Sequence, residues 1–185
     1  LSVPGISIED SIYTRIIEKY PNISGPIIVH RLDMSTSGLM LIAKNKRIHQ
    51  QLQKQFINKT ISKRYVALLE GEIATDEGVI DLPLRVDLDD RPRQMVCYEH
   101  GKKAITSYKV IERKNGVTKI HFWPITGRTH QLRVHASHAL GLNTPILGDD
   151  LYGKKSDRLY LHAESITFEH PISKKIMTIE IAVDF

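Results

Sequence analysis

Between Val29 and Asn45 the chain reads VHRLDMSTSGLMLIAKN, which brings His30, Arg31 and Asp33 together after an apolar entry and before a run of Ser and Thr. A carboxylate placed this way can act as a base or as a nucleophile. It can also do no more than cap a turn, and Ser35, Thr36, Ser37 and Gly38 are turn-forming residues that place Asp33 on a loop. A second stretch, GRTHQLRVH from Gly127 to His135, supplies Arg128 and Arg133 at the edge of an expected helix. A carboxylate that must stay ionised in a dry site needs a cationic partner, and the forked guanidinium of arginine is suited to that task. Arg128 is the candidate partner for Asp33; a phosphate contact or a plain surface charge would explain the same residue.

Several chemistries lack their other parts. The HRLD run has the His-Arg-Asp of protein kinases, but no Gly-rich loop, Asp-Phe-Gly or Walker lysine accompanies it. His130, His135 and His138 can share a helix, yet no His-Glu-x-x-His is present, so no metal site is expected. A Gly-x-Ser-x-Gly elbow is missing, and Cys97 is the sole cysteine, which removes internal disulfides and multi-thiolate metal sites.

The elements that must position these residues follow from periodicity. Ile48, Leu52 and Phe56 fall four apart between Lys46 and Ile57, an amphipathic helix with Arg47, His49, Gln53 and Lys54 on its other face. SKRYVALLEGEI reads as a half-buried strand, and AITSYKVIERKNGVTKIHFWPI as two strands joined at Asn115-Gly116, the pair that a tight hairpin turn requires. Leu132, Ala136, Ala139 and Leu140 mark a further helix, with Thr129 as its expected cap and Gly141 as the left-handed residue beyond its end. LYLHAESITF and IMTIEIAVDF close the chain as strands around the turn HPISKK, the second alternating Met177, Ile179, Ile181 and Val183 with polar residues. Many strands, few helices and hairpin connections predict an α+β domain whose mixed, mostly antiparallel sheet has helices alongside.

The 185 residues suit one domain with a sizeable core. Lys and Arg number 26 against 21 Asp and Glu, a net charge of +5 that favours a polyanionic partner such as nucleic acid. Cysteine usage fits a reducing cytoplasm, and no apolar run reaches the ~20 residues needed to span a bilayer. Because the chain starts at Leu1 without Met, an N-terminal truncation is expected.

Taken in order, HRLDMSTSGLMLIAKN, SKRYVALLEG, PITGRTHQLRVH, PILGDDLYG and LYLHA resemble the motifs of the RluA-type RNA pseudouridine synthases over nearly the whole chain. DLPLRVDLDDRPRQMVCYEHGKKAITSY resembles the RluA branch of that family. The resemblance implies a single pseudouridine synthase catalytic domain over 1–185, isomerising uridines in rRNA or tRNA stem-loops without a cofactor, as a monomer. It also implies that Asp33 is the catalytic aspartate, Arg128 its ion-pair partner, Tyr65 the aromatic against the target uracil, and Arg31 the side chain that fills the place of the flipped base. His30, Lys63, Arg64, Arg91, Arg93, His130 and Arg133 are the expected RNA contacts, with Lys44, Lys46 and Arg47 nearby. Two departures stand out: HASHALGLNTPILGD is longer than the family's usual loop, and its Lys-Pro segment before LSVPG is absent. A binding module that keeps the cleft but lacks turnover is the competing expectation.

Overall fold

The computed structural model describes residues 10–185. LSVPG, and with it the departure at the start of the chain, lies outside them. Three helices and nine strands follow in the order α1 (Ile12–Lys19), β1 (Ser37–Gly38), α2 (Lys46–Ile57), β2 (Ser62–Leu69), β3 (Glu77–Asp81), β4 (Leu84–Val86), β5 (Gln94–Val96), β6 (Ile105–Lys114), β7 (Val117–Pro124), α3 (Gln131–Ser137), β8 (Leu161–Glu169) and β9 (Ile176–Glu180). Seven strands form one sheet in the order β1-β8-β2-β7-β6-β3, with β9 also on β8; only β1 and β8 pair in parallel. β4 and β5 make a separate antiparallel pair. This is the mixed, mostly antiparallel α+β architecture that the pattern predicts.

Local chemistry explains the strongest elements. Asn45 caps α2 by accepting from the Ile48 amide at 3.0 Å, and Leu52 is buried with Ile48 and Phe56 packed beside it. The β6–β7 turn sits at Asn115 (φ 54°) and Gly116 (φ 73°), the left-handed pair that matches strand twist in a two-residue hairpin.

On one face of the sheet two apolar clusters lie side by side. Tyr65, Ala67, Leu69, Ile120, Phe122, Leu161 and Ala163 belong to the first, together with Leu132 and Ala136 of α3. Ile61, Ile166 and Phe168 belong to the second, with Val29, Ala43 and Leu52. β8 reaches both because its pairing with β2 steps from Arg64↔Ser165 to Tyr65↔Ala163, leaving Glu164 as an extra residue. The bulge shifts the two-residue alternation by one, so Ile166 and Phe168 stay on the face occupied by Leu161 and Ala163.

Two expectations at chain ends of elements need correction. α3 stops at Ser137; Ala139 and Leu140 fall in the following turn, and the cap position is His130 (φ 52°), with no side-chain capping bond from Thr129 or any other residue. Gly141 is not the left-handed residue. A side chain there would collide with the His135 carbonyl, while Asn143 carries the positive φ of 49°. β9 ends at Glu180, short of the expected strand, and its Met177 and Ile179 remain exposed at the sheet edge, as does Ile181 just beyond it.

Candidate active site

Asp33 sits in the loop that leads into β1, where the Thr36 amide donates to its carbonyl oxygen at 3.0 Å. Both flanks of the loop are tied down. Upstream, α2 reaches across: the His49 ring bonds the Ile28 carbonyl at 3.0 Å and the Gln53 amide donates to the Val29 carbonyl at 2.7 Å. Downstream, Ser37 is hydrogen-bonded to His162 at 2.8 Å, accepts from Arg158 at 2.9 Å, and pairs through its backbone with β8. The polar face of α2, which amphipathicity alone assigns to solvent, thus holds the loop that carries Asp33.

His30, expected to contact RNA, is engaged within the fold. Its Nε2 accepts from the Leu41 amide at 2.9 Å, its ring packs on Phe56 at 4.9 Å, and burial followed by the Lys63 charge lowers its pKa to about 4. A neutral ring whose lone pair is already used has no charge to offer a phosphate.

Tyr65 comes from β2, between Phe122 of β7 and Ala163 of β8, immediately beyond the bulge. Burial pushes its phenol well above the usual tyrosine range, and the Asp33 carboxylate pushes it in the same direction. The hydroxyl therefore stays protonated and senses Asp33. Asp33 and Tyr65 line one cavity of about 120 Å³ with Arg31, Thr36, Lys63 and Leu132. That is close to the ~150 Å³ known to hold a benzene ring, so the space suits one pyrimidine.

The loop Pro124–His130 and α3 form the opposite wall, and Gln131 sets their shape. Its side-chain oxygen accepts from the Thr126 hydroxyl (2.7 Å) and the Arg128 amide (3.0 Å), while its nitrogen donates to the Ile105 carbonyl and to Thr106 (both 2.9 Å). His135 bonds Thr106 at 2.9 Å from the next turn, and burial lowers its pKa to about 4. Neither anchor stands out in sequence, because each gains its role from a strand distant along the chain.

The expected ion pair is not formed in this structure. Arg128 lines the cavity, but its Nε donates to the Lys103 carbonyl at 3.0 Å, and among the described residues no salt bridge joins it to Asp33. It stands on an exposed loop, so its side chain runs along the surface. Arg133, 3% exposed, lies instead on the inward side of α3. Burial lowers its pKa, but the hydrogen bond and charge of Asp149, followed by the charges of Asp33 and Asp150, outweigh that and raise it. Two bonds of 2.8 and 2.6 Å fix Arg133 to Asp149, and one of 3.0 Å to Asp150. Its guanidinium lies 5.3 Å from the centre of the Tyr152 ring. The Tyr152 hydroxyl accepts from the Gln94 amide of β5 at 2.7 Å and bonds His130 Nδ1 at 2.8 Å. Arg133 and His130, both expected to contact RNA, are thus buried in the wall with partners inside the fold.

The remaining basic residues divide. Arg31 and Lys63 line the cavity. Arg64 lies on the other face of β2, held by Glu164 at 2.7 Å and Glu180 at 3.2 Å, outside the cavity wall. Arg91 and Arg93 sit in the β4–β5 loop, where Arg91 is exposed and Arg93 pairs with Asp90 at 3.0 Å. Among the described residues no cluster of His, Cys, Asp or Glu is arranged to hold a metal ion, and no helix is long and apolar enough to cross a membrane.

Comparison with known proteins bears on the family and the fold. Residues 5–138 match the family described as RNA pseudouridylate synthase. A Vibrio cholerae protein named dual-specificity RNA pseudouridine synthase RluA is 43% identical over the whole of this chain and 76% of its own length. A Haemophilus ducreyi protein of the same name is 46% identical, covering 96% of this chain and 82% of its own. The solved structure of human RNA pseudouridylate synthase domain containing 1 superposes with a TM-score of 0.79 at 28% identity, over 95% of this chain and 75% of that one. The chain belongs to the RNA pseudouridine synthase family and is an isomerase. Within that family it is of the RluA type.

Proposed function

We propose that this enzyme converts particular uridines in structured stem-loops of ribosomal RNA, transfer RNA or both, with Asp33 as the catalytic carboxylate and without a cofactor. One observation carries the reading: Asp33 and Tyr65 share the wall of a cavity that fits a single pyrimidine. A stacked uridine cannot present its glycosidic bond to a carboxylate inside such a cavity, so the base swings out first, at a cost of a few kcal/mol. Arg31, exposed at the rim, fills the vacated place. The dual-specificity relatives support more than one class of RNA.

In the reaction the N1–C1′ bond breaks, the uracil turns within the cavity and C5 bonds to C1′. C5 then gives up its proton and N1 gains one, so atoms balance without an outside reagent. Asp33 can attack C1′, remove the C2′ proton or add to C6, and each route needs it ionised and close to the substrate. Arg133, fixed by Asp149, supplies nearby positive charge, and Tyr65 offers a ring face to the uracil with its hydroxyl towards the same space.

The test is to incubate the protein with total RNA from a strain lacking it and to map pseudouridines, with Asp33→Ala alongside. New pseudouridine with wild type alone is expected. Equal yields from both proteins would remove Asp33 from the mechanism. RNA binding without product would favour a silent binding module.

A further inference from the structure

The base-sized cavity has a neighbour. Across Lys63 and the Pro124–Arg128 loop lies a second cavity of about 270 Å³, more than twice as large. Phe56, Ile61, Pro124 and Ile125 are its apolar walls, Thr126 adds a hydroxyl, and Lys59, Lys63 and Arg128 bring positive charge to it. These walls are rigid: Ile61 is buried, and the Phe56 ring is backed by His30, itself held by the Leu41 amide. Ile125, by contrast, leaves 46% of its surface open beside the cavity.

Lys63 belongs to both cavities. It lies on the sheet face where the two apolar clusters meet, between Ile61 and Tyr65 and opposite Ile166. Burial lowers its pKa, yet its ammonium has no hydrogen bond and no salt bridge among the described residues. The cost of desolvating a cation is normally met by a partner in the fold. Here none is supplied, and the residue facing it is Gly127, where even an added Cβ would stand 3.8 Å from Nζ. Access to the ammonium is therefore left open for an anion that arrives with the substrate.

An anion between two base-sized spaces has an obvious chemistry, since neighbouring nucleotides are joined by a phosphodiester. We propose that the second cavity receives the base of the nucleotide next to the target uridine, with Lys63 on the phosphate that joins the two. This rests on the reading that the first cavity takes the target uracil. A groove that merely tracked the backbone would be lined by cations and polar groups alone, whereas this one adds to its three cations an apolar surface on which the face of a base packs. The volume admits a purine as well as a pyrimidine, so the subsite selects a splayed loop conformation more than a base identity.

Synthetic stem-loops bearing the mapped uridine decide the matter, with an abasic nucleotide placed either before or after it, assayed with wild type and Ile125→Ala. Ile125 lines the second cavity and not the first, and its exposure makes the substitution compatible with folding. The expected result is a rise in KM of about fivefold for Ile125→Ala on the intact stem-loop, with kcat retained. A similar rise is expected for wild type on one abasic stem-loop, and no further rise when the two are combined. Losses that multiply at both flanking positions would overturn the proposal, because the missing base and Ile125 would then act independently. Failure of wild type to convert the intact stem-loop would overturn the function on which it rests.

Discussion

Arg128 and Arg133 stand five positions apart and have opposite surroundings, one on an exposed loop, the other locked to Asp149 inside the wall. Arg128→Ala should raise KM several-fold while leaving kcat within about twofold, as expected for a group that contacts RNA without acting on the reacting atoms. Arg133→Ala should lower stability by ~3–5 kcal/mol in urea titrations, because it strands the buried Asp149 carboxylate. Arg133→Lys keeps the charge but not the two-point grip, and should leave a folded enzyme with a lower kcat and an almost unchanged KM. A kcat loss for Arg128→Ala as large as that for Asp33→Ala would restore the ion pair inferred from sequence. Tyr65→Phe should bind RNA normally and lose turnover by ~10²–10⁴ if its hydroxyl takes part in moving the C5 proton. A loss under threefold would leave the ring face alone as its contribution.

At the scale of elements, the small β4–β5 pair meets the site through apolar packing of Leu84 and Val96 with Val134 of α3, and through one hydroxyl. Gln94 of β5 donates to Tyr152, and Tyr152 bonds His130 at the start of α3. Tyr152→Phe keeps the ring near Arg133 and deletes both bonds. It should weaken kcat about tenfold, with a loss of amide-exchange protection at Gln94 and no loss of global fold. The elements differ in how far sequence reveals them, and the reason is where their stabilising contacts lie. α2 and the β6–β7 hairpin carry their own signals, a four-residue apolar stripe with an Asn cap and an Asn-Gly turn. α3 is buried on nearly every side, so its apolar stripe says little about its length, and the polar residues that dock it, Gln131 and His135, look ordinary until β6 is beside them. The family motifs pointed to Asp33 and Tyr65, which share a cavity wall, whereas the burial of Arg133 and exposure of Arg128 depend on which side of a short helix faces inward. Burial of His30 and His130 was hidden for the same cause.

Across the whole molecule, two histidines are held neutral by burial. His30 and His135 have folded pKa values of about 4, against an ordinary value of 6.5. Between those values the unfolded chain binds more protons than the folded one, so stability rises with pH. It is fully present above pH 6.5 and lost as pH falls towards 4, at ~1.4 kcal/mol per pH unit for each histidine inside that window. Thermal unfolding should show Tm falling between pH 6.5 and 4.5, and His135→Gln should flatten the slope. An unchanged slope would mean His135 is already protonated in the fold. The extra residue in β8 has a consequence for how the chain can vary. Glu164 can be exchanged for another side chain with the fold retained, since its partners Arg64 and His121 keep some contact with water and Arg64 keeps Glu180. Deleting it is a different event: it would turn one half of the strand inside out relative to the other, exposing Ile166 and Phe168 or else Leu161 and Ala163. The strand is thus free in spelling but fixed in length. Glu164→Ala should yield folded protein where the single-residue deletion yields aggregate.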